Sequence, residues 1–377
     1  MTPFTFHPGP RLLSGEASAA RLAEHLPGGP CLFVTDRDVV ALGLTDACRA
    51  SLPETVLFDA VEADPSKGTL LAAVEAGRAA GVTSVLGFGG GSPMDVAKLA
   101  AYLLGSGDDL DAIWGVGLAT GPRLPLALVP TTAGTGSEAT PVAVITCEGG
   151  EKRGVNSPAL IADWAALDAA LTLGMPRGLT AATGIDAIVH AIEAFTSARL
   201  KNPLSDMYAV EALKLLSANL LTACDDPTNV DARSAMLLGA HLAGLAFANA
   251  PVAGVHALAY PLGGLHHLPH GLSNALMLRH VLQHNSDAAR GHYAALAEVI
   301  EPACAGQGSQ AQCALLIDRL DQLVFASGLA PRLRDHGIAE ADIPLLAREA
   351  MKQQRLLVNN PCAIDEADAR RLYEAAW

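Results

Sequence analysis

The sequence predicts an α/β protein in two parts: an N-terminal parallel-sheet domain over residues 1–178, then an all-helical domain over residues 179–377. Three observations carry this. Short β-branched runs alternate with helical stretches in the first half. Past about Leu179 that alternation stops, and long Ala- and Leu-rich amphipathic stretches take over. Half of the 377 residues are hydrophobic and 17% are charged, so there is apolar material for two cores, at roughly 100–200 residues per domain.

In the first half, residues 31–35, 56–58, 84–88 and 126–129 read as buried strands, with helices expected over 69–80 and 95–104. Strands separated by helices pair in parallel, with helices on both faces. In the second half the helical stretches are 181–197, 206–221, 231–248, 272–285, 290–300, 311–327 and 340–356. They are broken at Pro203, Pro227, Pro251, Pro269 and Pro302. The span 235–265 is apolar enough to raise a membrane crossing. His241, Asn249, Pro251 and His256 interrupt it, so two buried helices with a break are expected there.

Charge narrows the partners. With 25 basic and 39 acidic residues the net charge is −14, which argues against a phosphate-neutralising face for nucleic acid and against a polybasic membrane patch. The seven cysteines are scattered and contain no C-x-x-C, so neither a disulfide framework nor a cysteine zinc site is expected. A reducing, cytoplasmic location follows as the simplest expectation. The N-terminus shows no basic start followed by an apolar run.

Two glycine-rich turns point to a nucleotide. Gly87-Phe-Gly-Gly-Gly-Ser-Pro93 lies between a strand and a helix. Glycines there admit a phosphate close to the backbone, and the helix start offers unpaired N–H groups. Packing glycines in a tight turn are the plainer explanation. Pro130-Thr-Thr-Ala-Gly-Thr-Gly-Ser-Glu138 also follows a strand, and its hydroxyls suit phosphates, a ribose or simple helix capping. Two such turns at the strands' carboxyl ends favour a dinucleotide. Asp36, ending the first strand, is placed to accept ribose hydroxyls and to repel a 2′-phosphate, favouring NAD over NADP, while the adjacent Arg37 guanidinium would tolerate that phosphate and keeps NADP open. It precedes the glycine turn by about 50 residues, whereas the usual fingerprint has its acid about 20 residues after. A simple helix cap at Asp36 therefore stays open.

Seven of the twelve histidines fall between residues 241 and 284. Imidazole with carboxylate suits Fe²⁺ or Zn²⁺. Asp186 and His190 stand at i and i+4, on one face of an apolar helix. Such a buried carboxylate needs a partner, and a structural His–Asp pair is the alternative. Further ligands are offered by Gly254-Val-His-Ala-Leu-Ala-Tyr-Pro261 and His266-His-Leu-Pro-His-Gly271. His280 and His284, also at i and i+4, fall beside Arg279 and Gln283 and read as solvent-exposed. His241 reads as a core histidine.

The sequence resembles the iron-containing (group III) alcohol dehydrogenases. The resemblance runs from Val34-Thr-Asp36 to Asn359-Asn-Pro361, through both glycine turns, residues 179–193 and the His256–Gly271 segment. It implies a dinucleotide-binding domain and a helical domain with the active site in the cleft between them, and a ribose-binding acid before the glycine turn. By motif position it implies Asp186, His190, His256 and His270 as metal ligands. Gly89, Gly90, Gly91 and Ser92 would hold the pyrophosphate, with Asp95 beside them. Thr131, Thr132 and Ser137 would line the rest of the nucleotide, and Lys152 would lie near the nicotinamide ribose. Tyr260 stands where several relatives carry a further histidine. Their proton relay would then pass to Tyr260 itself or to His266 or His267.

The expected function is NAD-linked hydride transfer between a small primary alcohol or aldehyde and NAD(H), with Fe²⁺ (or Zn²⁺) polarising the substrate oxygen. His256, His270 and Asp186 are the central catalytic residues in this reading. The alternatives are a reductase of a functionalised carbonyl (lactaldehyde, succinic semialdehyde, maleylacetate) and a metal- and NAD-dependent lyase or synthase on the same scaffold. The resemblance also implies a homodimer or higher homo-oligomer.

Overall fold

The structure is a computed structural model and describes residues 3–377. Two compact units emerge, residues 7–173 and residues 174–377, the second taking in residues 3–6. The first unit contains every strand among the described residues: β1 (Arg11–Ser14), β2 (Pro30–Val34), β3 (Glu54–Phe58), β4 (Ser84–Gly89), β5 (Gly115–Val116), β6 (Leu126–Pro130), β7 (Val142–Thr146), β8 (Lys152–Asn156) and β9 (Trp164–Leu167). Its helices are α1 (Arg37–Ala41), α2 (Asp46–Ser51), α3 (Lys67–Ala80) and α4 (Gly91–Ser106).

Six strands form one parallel sheet in the order β1-β9-β6-β4-β2-β3. The central strands β2, β4 and β6 are apolar runs buried on both faces, as expected inside a parallel sheet. Alternate residues serve two cores. Leu32, Val34, Val85, Leu126 and Leu128 pack with Leu70 and Val74 of α3 and Leu99 of α4. On the opposite face, Phe33, Leu86, Phe88, Ala127 and Val129 pack with Leu22, Val39 and Cys48. Because β4 pairs with both β2 and β6, the residues that follow these three strands emerge side by side. These are Asp36, the Gly89–Ser92 turn and the Thr131 turn, so the acid and the two turns form one polar rim.

A second sheet, β5-β8-β7, is absent from the strands expected from sequence, although β7 reads Val-Ala-Val-Ile-Thr. β8 reads Lys-Arg-Gly-Val-Asn and is exposed at its first two positions, so no apolar alternation announces it. β1 is a mostly exposed edge, and β9 is Trp-Ala-Ala-Leu, whose alanines favour helix by propensity.

The second unit is helical throughout: α5 (Arg177–Thr196), α6 (Pro203–Asp225), α7 (Val230–Asn249), α8 (Gly254–His266), α9 (His270–Asn285), α10 (Arg290–Ile300), α11 (Ser309–Ser327), α12 (Ile343–Ala350), α13 (Gln354–Leu357) and α14 (Glu366–Ala376). Pro203 starts α6 at a position that needs no N–H, with Asn202 capping the helix. The stretch expected as one helix over 340–356 is instead a 3-10 turn (Glu340–Asp342), α12 and the short α13. α14, capped by Asp365, was not anticipated. No single helix among the described residues is long and apolar enough to cross a membrane. α7 and α8 pass such a test only together, with a 106° bend between them. The break falls at Pro251, where it was expected.

Candidate functional site

Two clusters of the expected residues form, one in each unit. In the α/β unit, Gly89 has φ +147°, and a Cβ there would lie 2.8 Å from Pro93 Cγ, so no other residue fits without strain. Gly90 occupies the N-cap of α4, leaving the N–H groups of Gly91 and Ser92 without partners inside the helix. The second turn packs against the first. Thr131 N–H donates to Gly89 O at 2.9 Å, and Thr132 and Thr135 face the open sides of Gly90 and Gly91.

Asp36 serves both turn and helix. Its Oδ1 accepts from Val39 N–H at 2.8 Å and caps α1, while Oδ2 points to Gly89. Burial raises its pKa, against the opposing Val39 N–H.

Asp95 and Ser137 fasten the two turns together. Ser137 Oγ donates to Asp95 Oδ1 at 2.6 Å, and Val144 N–H donates to Oδ2 at 2.9 Å. Beneath them lies Lys98, fully buried, whose Nζ donates to Ser137 Oγ at 2.7 Å and to Val142 O at 2.7 Å. Burial pushes the Lys98 pKa down to about 8, with Asp95 and Glu138 pulling it back up. Burial likewise raises Asp95, against the pull of Lys98. Lys98 was missed in the sequence, where only its i+3 spacing from Asp95 hinted at it. Lys152 is held elsewhere, with Nζ 2.7 Å from Asp64 Oδ1.

In the helical unit, α5 carries Asp186 and His190 on one face, α8 brings His256 in its first turn, and α9 begins with His270. One ligand atom from each lies within 4.8 Å of all the others. Asp186 Oδ1 is 3.8 Å from His190 Nε2, 3.8 Å from His256 Nε2 and 3.5 Å from His270 Nε2. Donors about 2.1 Å from one tetrahedral ion lie about 3.4 Å apart, so this spacing and this nitrogen–oxygen donor set fit a divalent cation. Asp186, His190 and His256 are 2–4% exposed, whereas the His270 side chain is 39% exposed. Burial opposes the charged form of Asp186, but His190, His270 and His256 and the Asn274 amide hold its pKa below the usual range.

The approach of α9 to α5 depends on Gly271. A Cβ there would sit 2.1 Å from the Ala182 carbonyl oxygen. Asn274, one turn along α9, donates from Nδ2 to Asp186 Oδ1 at 2.6 Å. Glu193, one turn beyond His190, places Oε2 2.6 Å from His256 Nδ1. Neither was singled out from sequence, although Glu193 sits at i+7 from Asp186 in the quoted motif.

Tyr260 lies beside the cluster, its ring 5.8 Å from that of His270 and its hydroxyl 3.5 Å from Arg355 Nη2. His266 does not join. It stands ten residues beyond His256 on α8, about 15 Å along the axis, with Nε2 3.8 Å from Asp342 Oδ2. His267 ends the helix in the left-handed region, φ +56°. His280 and His284, expected to be solvent-exposed, are half-buried, and His284 Nε2 lies 3.1 Å from Ala363 O. Their helix packs against α14, which the sequence reading lacked. His241 is a core residue, 2% exposed.

A glycine turn at parallel strand ends in one unit and an Asp/His₃ cluster on packed helices in the other define a nucleotide-and-metal class of protein. Family comparison gives the particular one. Residues 9–169 match the model described as "Iron-containing alcohol dehydrogenase", and residues 180–377 match "Fe-containing alcohol dehydrogenase family, C-terminal". The chain belongs to the iron-containing alcohol dehydrogenase family, a family of oxidoreductases.

Among relatives, it is 38% identical over 353 residues to long-chain-alcohol dehydrogenase 1 of Geobacillus thermodenitrificans, covering 92% of this chain and 89% of that protein. The crystal structure of a 1,3-propanediol oxidoreductase superposes with a TM-score of 0.96 at 32% identity, covering all of both chains. Sulfoacetaldehyde reductase from Bifidobacterium kashiwanohense, solved in complex with NAD⁺, gives 0.87 at 28% identity over 100% of this chain and 99% of that one.

Proposed function

We propose that this protein is a metal-dependent, NAD-linked alcohol dehydrogenase or aldehyde reductase acting on small primary alcohols and their aldehydes. The observation that carries the proposal is the convergence of four donor atoms from Asp186, His190, His256 and His270 within 4.8 Å. In this reading those residues hold Fe²⁺, with Zn²⁺ the other cation suited to imidazole and carboxylate. When bound, the cation supplies Lewis-acid polarisation of the substrate oxygen, and NAD carries the hydride.

The chain's own groups do the rest. Asp186 contributes one negative charge, so a divalent cation in this cage keeps a net positive charge that favours an anionic oxygen. His270 is the partly exposed member and marks the side from which substrate approaches. Tyr260 flanks that side, and its hydroxyl is the candidate to handle the substrate proton. The N–H groups of Gly91 and Ser92 receive the pyrophosphate, and Asp36 keeps Oδ2 for the ribose. Thr131 and Thr132 line the nucleotide; Ser137 and Asp95 brace its turns. Lys152 would have to leave Asp64 to reach the nicotinamide ribose.

A homodimer in the cytoplasm belongs to the same reading. Support for the compartment is that all seven cysteines are free. Light scattering checks the assembly. The central test is turnover of short alcohols followed by NADH absorbance. Chelation is expected to abolish it and Fe²⁺ or Zn²⁺ to restore it; full turnover in the chelated protein would defeat the proposal.

A further inference from the structure

We infer that Glu193 is a positioning residue for the cluster, fixing the tautomer and the aim of His256 and so setting the affinity of the site for its cation. The inference rests on the metal reading above. Asp186, His190 and Glu193 stand at i, i+4 and i+7 on α5, so one helix face supplies two ligands and the support of a third. The Glu193 carboxylate is 3% exposed. Its Oε1 accepts from Val255 N–H at 2.6 Å; its Oε2 accepts from Ala253 N–H at 2.9 Å and meets His256 Nδ1 at 2.6 Å.

Two of these partners are backbone N–H groups, which only donate, and an ionised carboxylate has only acceptor sites to offer the third. The His256 ring must then carry its proton on Nδ1. That leaves the lone pair on Nε2, the atom facing Asp186 across 3.8 Å.

The same carboxylate fixes where His256 stands. α8 has no side-chain cap of its own. Its N-terminal N–H groups are satisfied from outside, by Glu193 and, at Gly254, by Asn360 Oδ1 at 3.3 Å. Glu193 thus holds both the ring and the helix turn that carries it. A carboxylate behind a ligating imidazole orients it and strengthens it as a donor, and losing such a partner weakens metal binding by about 10–100-fold. A residue that merely capped α8 would change stability and leave cation affinity alone.

The experiment titrates wild-type and Glu193→Gln apoproteins with Zn²⁺ and Co²⁺ against a competing chelator, with thermal melts of the apo forms alongside. Zn²⁺ affinity is expected to fall about 10–100-fold in the variant, and the visible spectrum of the Co²⁺ form to change. Affinity within twofold of wild type, with or without a lower apo melting temperature, would overturn the inference. Should E193Q fail to fold, ¹⁵N-imidazole NMR of the Zn²⁺-loaded wild type decides it. A proton on His256 Nδ1 supports the assignment, and one on Nε2 overturns it. A wild type that binds neither cation would instead defeat the proposed function on which this rests.

Discussion

In the proposed reading, the two units build their sites by opposite means. In the α/β unit the surface offered to a ligand is mostly backbone: glycines at 89, 90 and 91 and the free N–H groups of α4. Its side chains Asp95, Ser137 and Lys98 are spent on one another, holding the turns from beneath. In the helical unit the offered groups are side chains, one carboxylate and three imidazoles, and helix spacing and close packing set their positions. Backbone recognition suits a diphosphate that every enzyme of such a class must hold alike. Side-chain recognition suits a cation, whose chemistry depends on donor identity. Substitutions should therefore separate cleanly between the units.

Asp186→Asn is expected to have the largest effect. It removes the one anionic donor, and turnover should fall by at least about 10³-fold, since the cation's polarisation is worth several kcal/mol and each 1.36 kcal/mol is tenfold. NADH fluorescence titration should show nucleotide affinity unchanged; a parallel loss there would erase the contrast. Lys98→Met comes next. It leaves the buried side of Asp95 without its cation, and unfolding free energy should drop by about 3–5 kcal/mol in urea melts. The metal content of the folded fraction should stay normal.

Lys98 also predicts a pH dependence. Its pKa is lowered from the 10.5 of an ordinary lysine to about 8 in the fold, so between those values the unfolded chain binds more protons. Its own contribution to stability therefore rises with pH across that window, and the penalty of burying its charge is full below about pH 8. Selective ¹⁵N-lysine NMR should find an amine titrating near 8; one titrating at the ordinary value would refute this. Gly89→Val should cost about 1–3 kcal/mol of unfolding free energy through strain at positive φ and weaken NADH binding as the turn shifts to relieve it, with cation affinity untouched. His284→Ala should be smallest. Away from the cluster, it loses the contact with Ala363 O, which should lower stability by about 1 kcal/mol and leave turnover unaltered.

What was legible follows from the same contrast. The Asp186–His190 pair and the central strands 31–35, 84–88 and 126–129 declare themselves because helical and buried-strand spacing survive in a single sequence. Assembling His256 and His270 with them took the family resemblance, since three helices must meet for that contact to exist. Lys98 stayed hidden because a lysine inside an apolar helix reads as a solvated one until its partners on another loop are seen. Glu193 hid in plain view, its purpose set by N–H groups sixty residues away. In the β5-β8-β7 sheet, β5 and β8 are short or carry charged and small residues and take their order from pairing, whereas β7, Val-Ala-Val-Ile-Thr, has a strand-like composition that the sequence reading passed over.

At position 271 a single hydrogen atom governs the size of the cage. The Ala182 carbonyl occupies the place of any methyl group there, so the gap between α5 and α9 is dictated by main chain touching main chain. Side-chain repacking around the cluster leaves that dimension alone. If the proposed site is right, an engineer seeking to admit a larger ion or a bulkier substrate has therefore to work from the His270 and Tyr260 side and keep residue 271 as it is.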